Sequence, residues 1–222
     1  KWKVPIVITS LGAKEFVNEA VHSYGGIVLH DIINNRFAKK AIDKGADGLI
    51  AVAAGAGGHA GTLSPFALIH EFREWFDGPL LLSGSIAHGD AVLAAISMGA
   101  DLAYIGSSFI ATQEANAEQP YKQSLVDSSS DDIVLSNLFT GVHGNYLKPS
   151  IVAAGLDPDN LPESDVSKMS FGSGGSSSAK AWKDIWGCGQ GIAAIKGVLT
   201  TQELVDSIES QYTSAKQRIM SA

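Results

Sequence analysis

The sequence is short of several things, and each shortage removes a class of protein. It has one cysteine, Cys188, so it holds neither an internal disulfide nor a multi-cysteine zinc site, and it suits a reducing cytosol. Seven prolines and no Gly-X-Y period exclude a collagen-like chain. Charged residues are 18% against 45% hydrophobic, the reverse of the balance in a disordered chain. No apolar run reaches membrane-spanning length, and no leader pattern is evident. Positive charge is scarce too. The net charge is -7 and the pI about 5.3, without any Lys/Arg-rich stretch, which argues against nucleic acid as a partner. No Gly-Lys-Ser/Thr occurs, so there is no Walker loop, and no histidine pair has metal-site spacing.

What remains is a 222-residue chain rich in glycine, with 24 where an average composition would hold about 7%. A complete (βα)8 barrel takes about 250 residues, so the length allows one large domain. The chain opens on Lys1 rather than Met and enters a strand pattern almost at once, as a piece of a longer protein would.

Short, nearly continuous apolar runs at residues 4–9, 26–30, 48–53, 79–83 and 102–105 read as strands of a parallel sheet buried on both faces. Helical patterns fill the gaps at 13–23, 35–44, 64–75 and 90–98, the last capped by Gly89 or Asp90 and closed by Gly99. Gly45-Ala46-Asp47 and Gly99-Ala100-Asp101 precede strands that have one strand between them, the spacing of two βα units. The expected fold is α/β, a TIM-type (βα) barrel. Five such strands do not close a barrel of eight and leave open edges.

The chain divides into barrel units over 1–125, an irregular insert or flap over 126–178, and C-terminal helices over 179–222 that pack back on the sheet. Residues 113–125 read as helical, 127–132 as a polar turn and 157–178 as a long loop. Helical patterns return at 180–186 and 191–198. A last helix starts at Thr200 or Thr201 and runs to about Met220, with Leu204, Ile208, Tyr212 and Ile219 on one face.

The glycines gather where strands end. Ala54-Gly55-Ala56-Gly57-Gly58-His59-Ala60-Gly61-Thr62 follows the third strand. Loops after strands form the active face of a βα barrel, and glycine there lets backbone N–H groups approach a ligand. The run is either such a site, with His59 facing substrate, or a flexible loop with a surface histidine. It is not a dinucleotide fingerprint, because the sixth-position glycine and the later acidic residue are missing. Ser83-Gly84-Ser85-Ile86 and Gly106-Ser107-Ser108-Phe109 end the next two strands. Two Gly-Ser ends on neighbouring late strands make a phosphate cradle from N–H and hydroxyl donors. His30, beside Asp31 at another strand end, serves either ligand contact or structural pairing. His143 is a weaker candidate for the site, and His22, His70 and His88 read as solvated or structural.

These residues resemble a known family. Asp47-Gly48-Leu49-Ile50-Ala51 leading into Gly57-Gly58-His59-Ala60-Gly61 is similar to the signature of the nitronate monooxygenases, the 2-nitropropane dioxygenase family. So are Ser83-Gly84-Ser85-Ile86, the run from Gly99-Ala100-Asp101 to Thr112, and Trp186-Gly187-Cys188-Gly189-Gln190-Gly191. The resemblance spans nearly the whole chain. It implies an FMN-dependent barrel that oxidises alkyl nitronates or nitroalkanes with molecular oxygen to a carbonyl compound and nitrite. It implies His59 as the active-site base or nitro-group contact, with Gly57 and Gly58 lining the flavin. Gly84, Ser85, Gly106 and Ser107 would hold the phosphate, and His30 and Gln190 would lie near the ring. Ser85 departs from the second glycine common in relatives. The strand at 4–9 corresponds to about the fourth of eight, so the chain resembles strands 4–8 plus a C-terminal helical extension. The same Gly-Gly-His-Ala-Gly type of motif occurs in FMN-dependent enoyl-acyl-carrier-protein reductases, which use NAD(P)H and are the enzymatic alternative. A folded barrel piece without activity, acting as an interaction module, is the non-enzymatic one.

Overall fold

In a computed structural model, residues 2–164 and 183–221 are described. Five short runs of Val, Ile and Leu form one parallel sheet. They are β1 (Ile6–Thr9), β2 (Ile27–Ile32), β3 (Gly48–Val52), β5 (Leu80–Ser83) and β6 (Leu102–Tyr104), paired in the order β1-β2-β3-β5-β6. Between them lie α1 (Glu15–His22), α2 (Asn35–Asp43), α3 (Pro65–Arg73) and α4 (Gly89–Ser97). The two-residue strand β4 (Gly58–His59) sits between β3 and α3. All five expected strands and all four expected helices are present, with ends moved by two residues at most. The α4 N-cap is His88 rather than Gly89 or Asp90.

Strand parity sorts the sheet into two faces. Ile32, Leu49, Ala51, Leu80 and Leu82 pack against Ala38, Ala41, Leu68, Ile69 and Phe72 of the helices. Leu29, Ile50 and Leu81 form a cluster on the opposite face. β3 is central and almost wholly buried, as a parallel strand covered on both sides should be. The margins are not: Ile6 is 50% exposed and Leu102 59%. Edge strands expose both side chains and unpaired backbone groups, and a closed barrel would cover them.

The Gly-Ala-Asp repeat does one job twice. Gly45 and Gly99 take left-handed φ angles of +87° and +110°, which end α2 and α4 without a Cβ penalty. Ala46 and Ala100 are buried. The Asp47 N–H donates to Val28 O at 2.8 Å and its carboxylate accepts from Val28 N–H at 2.7 Å. Asp101 does the same with Leu80, both bonds at 2.8 Å. Each aspartate meets a partner from a neighbouring helix, His22 at 2.8 Å and Arg73 at 2.7 Å. The repeat is therefore a device that registers each strand against the one beside it.

The second half departs from expectation. Over the described part of the stretch read as an irregular insert, residues 126–164, there are two strands and a helix: β7 (Ile133–Ser136), β8 (Gly144–Leu147) and α7 (Lys148–Ala153). They follow α5 (Ser107–Ile110) and α6 (Gln119–Asp127). β7, β8 and β4 form a small antiparallel sheet in the order β4-β8-β7. Residues 165–178 of the expected flap lie outside the described residues. So do 180–182 of the helix expected over 180–186, whose described part instead joins the edge of β8: Leu147 N–H donates to Trp186 O at 2.8 Å and Cys188 N–H to Asn145 O at 3.2 Å. Of residues 191–198, the first four lie in a short 3-10 turn, Gln190–Ala194, and the rest are in no helix. Burial pushes the Cys188 thiol up to about 12, which leaves it unreactive.

The last helix, α8 (Thr201–Met220), begins at a capping box between Thr200 and Glu203. It docks on α4 rather than directly on the sheet. The reason is Gly89 in the first turn of α4, whose N–H donates to Gln211 Oε1 at 2.9 Å. A Cβ there would lie 2.1 Å from Tyr212 N and 2.3 Å from Ile208 O, so the two helix backbones touch. Arg218 of α8 also pairs with Asp90. Ile219, placed by its period on the packing face, is 63% exposed. Gly89→Ala should push α8 away and cost about 1–3 kcal/mol, in the range of overpacking changes. Thermal unfolding followed by circular dichroism checks this, and an unchanged midpoint would show that α8 docks elsewhere.

Candidate active site

The C-terminal ends of β3, β5 and β6 meet the segment at residues 189–191 around one small cavity of about 30 Å³. Gly57, Gly84, Ser85, Gly106 and Ser107 line it, together with Gly55. Five of the expected cofactor residues thus come together. Gly58 and Gln190 lie beside this cavity rather than in its wall: Gly58 in β4, and Gln190 with its N–H bonded to Gly55 O at 2.9 Å.

Most of these glycines are needed for contact between loops. A Cβ on Gly57 would meet Gly189 N at 2.7 Å, and one on Gly189 would meet Gly55 O at 2.6 Å. A Cβ on Gly191 would lie 2.9 Å from Ser85 O. One on Gly84 would lie 2.9 Å from Ala54 O, and Gly84 has φ +143°. Ser85 holds a left-handed φ of +55°, an uncommon conformation for a residue with a side chain. Gly106 differs. Nothing lies within 4 Å of where its Cβ would be, and its φ is -121°. Gly106 is one of the residues lining the cavity, while Ser107 Oγ accepts from Gly189 N–H at 2.9 Å, leaving its own proton to donate.

His59 is positioned by β-pairing. Gly58 stands opposite Asn145 and His59 opposite Gly144, and Ala60 N–H donates to His143 O at 3.1 Å. The buried Asn145 side chain donates to Ala56 O at 2.7 Å, fixing the loop carbonyl. The His59 Nε2 lies 2.9 Å from Thr140 Oγ1. Burial holds the ring's pKa below the ordinary histidine value, against a smaller upward pull from the Asp31 charge. Asp31 is itself raised by burial, while a Ser10 hydrogen bond, His30 and His59 act in the lowering direction. At neutral pH the imidazole is therefore uncharged and able to accept a proton.

His30 does not join this group. It is 4% exposed, its Nδ1 lies 2.6 Å from Thr9 Oγ1, and parity sets it on the helix-facing side with Ile32. Asp31, one residue on, shares the other face with Leu29. The strand end named from sequence is right, but the side chain on the open face is its neighbour's. His143 contributes its backbone and exposes its side chain, and His22 and His70 are exposed beside carboxylates. Sequence reasoning passed over Thr140 and Asn145, which lie more than 80 residues beyond the loop they hold. Asp31 carried the one readable signal, a carboxylate at a strand's C-terminal end. Among the described residues no group of three or more His, Cys, Asp or Glu could hold a metal ion, and no helix is long and apolar enough to cross a membrane.

The fold recurs in solved structures. FabK from Thermotoga maritima superposes with a TM-score of 0.78 at 21% identity, covering 99% of this chain and 71% of that one. A nitroalkane oxidase from Streptomyces ansochromogenes gives 0.75 at 22% identity, covering 97% and 66%. In sequence, a nitronate monooxygenase from Paraburkholderia phytofirmans is 26% identical over 181 residues, which is 75% of this chain and 49% of that protein. A probable nitronate monooxygenase from Staphylococcus aureus is 29% identical over 107 residues, 44% of this chain and 30% of that protein. The match thus spans about half, or less, of the length of these curated relatives. The family model described as nitronate monooxygenase matches residues 1–210, and the chain belongs to the nitronate monooxygenase family.

Proposed function

We propose that this chain forms the flavin-binding wall of an FMN-dependent nitronate monooxygenase, which converts alkyl nitronates or nitroalkanes and oxygen to a carbonyl compound and nitrite. The observation that carries the reading is His59: a half-buried, uncharged imidazole at the C-terminal edge of a parallel sheet, beside a glycine-serine cavity. The chain supplies the part of an eight-stranded barrel corresponding to about strands 4–8. The exposed apolar residues of β1 and β6 are the edges that three further strands would cover. A single buried cysteine fits a cytoplasmic setting.

The cradle suits the phosphate of FMN. Among the described residues its lining has no lysine or arginine, and N–H and hydroxyl donors of Gly84, Ser85, Gly106 and Ser107 carry the recognition. Gly57, Gly58 and Gln190 would border the ring system, and Asp31 takes the place first given to His30. Bound FMN supplies the redox chemistry with substrate and oxygen. The chain's own contribution is proton handling. Neutral His59 removes the acidic proton next to the nitro group, and the resulting imidazolium faces the anion it has made. Substrate already in the nitronate form needs no such step.

Three variants and an anaerobic reduction test the reading. His59→Ala should lower turnover on a neutral nitroalkane by about 10²–10⁴, the usual contribution of a general base, and lower it far less on the nitronate; equal losses would show that His59 is not a base. Rapid anaerobic bleaching by NADPH, with none by a nitronate, would favour the enoyl reductase chemistry instead.

Gly106→Val leaves the fold's thermal midpoint unchanged, since its Cβ meets open space, yet fills the cradle. FMN affinity by fluorescence titration should fall at least about tenfold, equivalent to about 1.4 kcal/mol. Equal affinity would remove the phosphate from this site, and a chain that stays colourless with added FMN would favour the inactive module.

Asp31→Asn removes the charge that pulls the His59 pKa up. Because the base must be unprotonated, the acid limb of kcat/KM on a nitroalkane should move to lower pH. A limb that stays or moves up would separate Asp31 from His59.

A further inference from the structure

Two hydroxyl side chains stand beside the cradle on the sheet face turned away from the helices. Ala103 of β6 packs against the helix-side core, so its neighbours Leu102 and Tyr104 point to the opposite face. Register agrees. Tyr104 is opposite Ser83 of β5, and Ser83 is opposite Val52 of β3, which packs with Leu29, Ile50 and Leu81 on that face. Asp31 shares the face one row lower, through Ile50 and Leu81 to Leu102. Ser83 and Tyr104 both line the cavity that Gly84 and Gly106 border. Tyr104 is the one aromatic side chain among the described residues of that wall, and it is 42% exposed. Among the described residues no hydrogen bond engages either hydroxyl. A phosphate held in the cradle must send its ester chain out over some part of this wall. The helix side is filled by the core, so the chain leaves over the other face. From β6 to β3, whose loop carries His59, is two strand steps, roughly 10 Å. That span crosses Tyr104 and Ser83.

We infer that Tyr104 and Ser83 form a hydroxyl ledge that binds the ribityl chain of FMN, with the Tyr104 phenol as its main contact. The inference rests on the reading of this cavity as the FMN phosphate site, and it adds which side chains recognise the polyol between phosphate and ring. A hydroxyl both donates and accepts, and so do the hydroxyls of a polyol. The phenyl ring offers apolar surface to the polyol carbons, and ordering it costs little because a tyrosine has two rotatable side-chain bonds. Exposure alone does not make the case. Leu102, on the same face and 59% exposed, lines no part of this cavity and belongs to the sheet margin. Tyr104 combines the margin's exposure with a place in the cradle wall. Its half-exposed phenol is also dispensable to the fold, which leaves its effect on binding open to measurement.

The test is a fluorescence titration of the whole chain with FMN, riboflavin and lumiflavin, independent of turnover. Riboflavin lacks the phosphate, and lumiflavin lacks the polyol as well. Competition against FMN extends the measurement to weak binding. Tyr104→Phe keeps the ring and removes the hydroxyl. It should weaken FMN and riboflavin by the same factor, about fivefold, the size of one neutral hydrogen bond. Lumiflavin affinity and the thermal midpoint of the unliganded chain should not change. Ser83→Ala should act in the same pattern with a smaller factor. Gly106→Val, which fills the phosphate cradle, should instead weaken FMN more than riboflavin. A loss confined to FMN in Tyr104→Phe would put the phenol on the phosphate and overturn the inference. So would an equal loss for all three flavins, which would put it against the ring system, or unchanged affinity for FMN and riboflavin. The two readings fail separately: a wild-type chain that binds no FMN removes the phosphate site and the ledge with it, whereas FMN binding that survives Tyr104→Phe intact removes the ledge alone.

Discussion

The structure depends on backbone touching backbone where strands end. Gly55 and Gly57 leave the sheet, Gly189 and Gly191 arrive from the far end of the chain, and none has a side chain to hold the loops apart. A single Cβ at Gly57 or Gly189 would intrude on main-chain atoms at 2.7 Å or less, a clash that no rotamer relieves. These contacts join the parallel sheet to the C-terminal layer. Beside them, among the glycines that line the cavity, Gly106 has nothing within 4 Å of where a Cβ would stand. Most of the loop glycines close the structure, and Gly106 leaves room for something to enter it.

From that junction the site follows as a meeting of three distant segments. The sheet presents Asp31 and the loop carrying His59. The β7–β8 hairpin pairs with that loop and brings Thr140 and Asn145 to it. The 189–191 segment covers the cavity from the other side. Burial and charge then act in opposite directions on His59, and burial is the larger effect, because the ring lies inside a junction of loops. Proton acceptance near neutral pH is thus a product of packing, with the carboxylate setting its fine position.

Legibility varied with how local the cause was. The five strands were readable because a parallel strand covered on both faces must be apolar nearly throughout, as in β3. The Gly-Ala-Asp repeat was readable because each copy ends a helix and registers a strand within a few residues. The hairpin over 133–147 was not. Gly144-Asn145-Tyr146-Leu147 has no alternation, since Asn145 is buried to bond Ala56 O and a Cβ on Gly144 would crowd Gly58 O at 3.0 Å. Both choices answer to residues far away. The described end of the 180–186 stretch, residues 183–186, was misread for a similar reason: the chain is drawn at Trp186 and Cys188 into bonds with β8.

His30 and Asp31 mark the boundary between the two kinds of information. By itself the sequence determined the parallel α/β class, the strand ends where glycines collect, and His59 as the titratable group among them. These follow from composition and from spacing within a single βα unit. Only the tertiary structure decided which of two adjacent side chains faces the open side, which hydroxyl meets His59, and which glycine borders free space. Each of those depends on a surface brought from elsewhere in the chain, and no local pattern carries the position of a partner about eighty residues away.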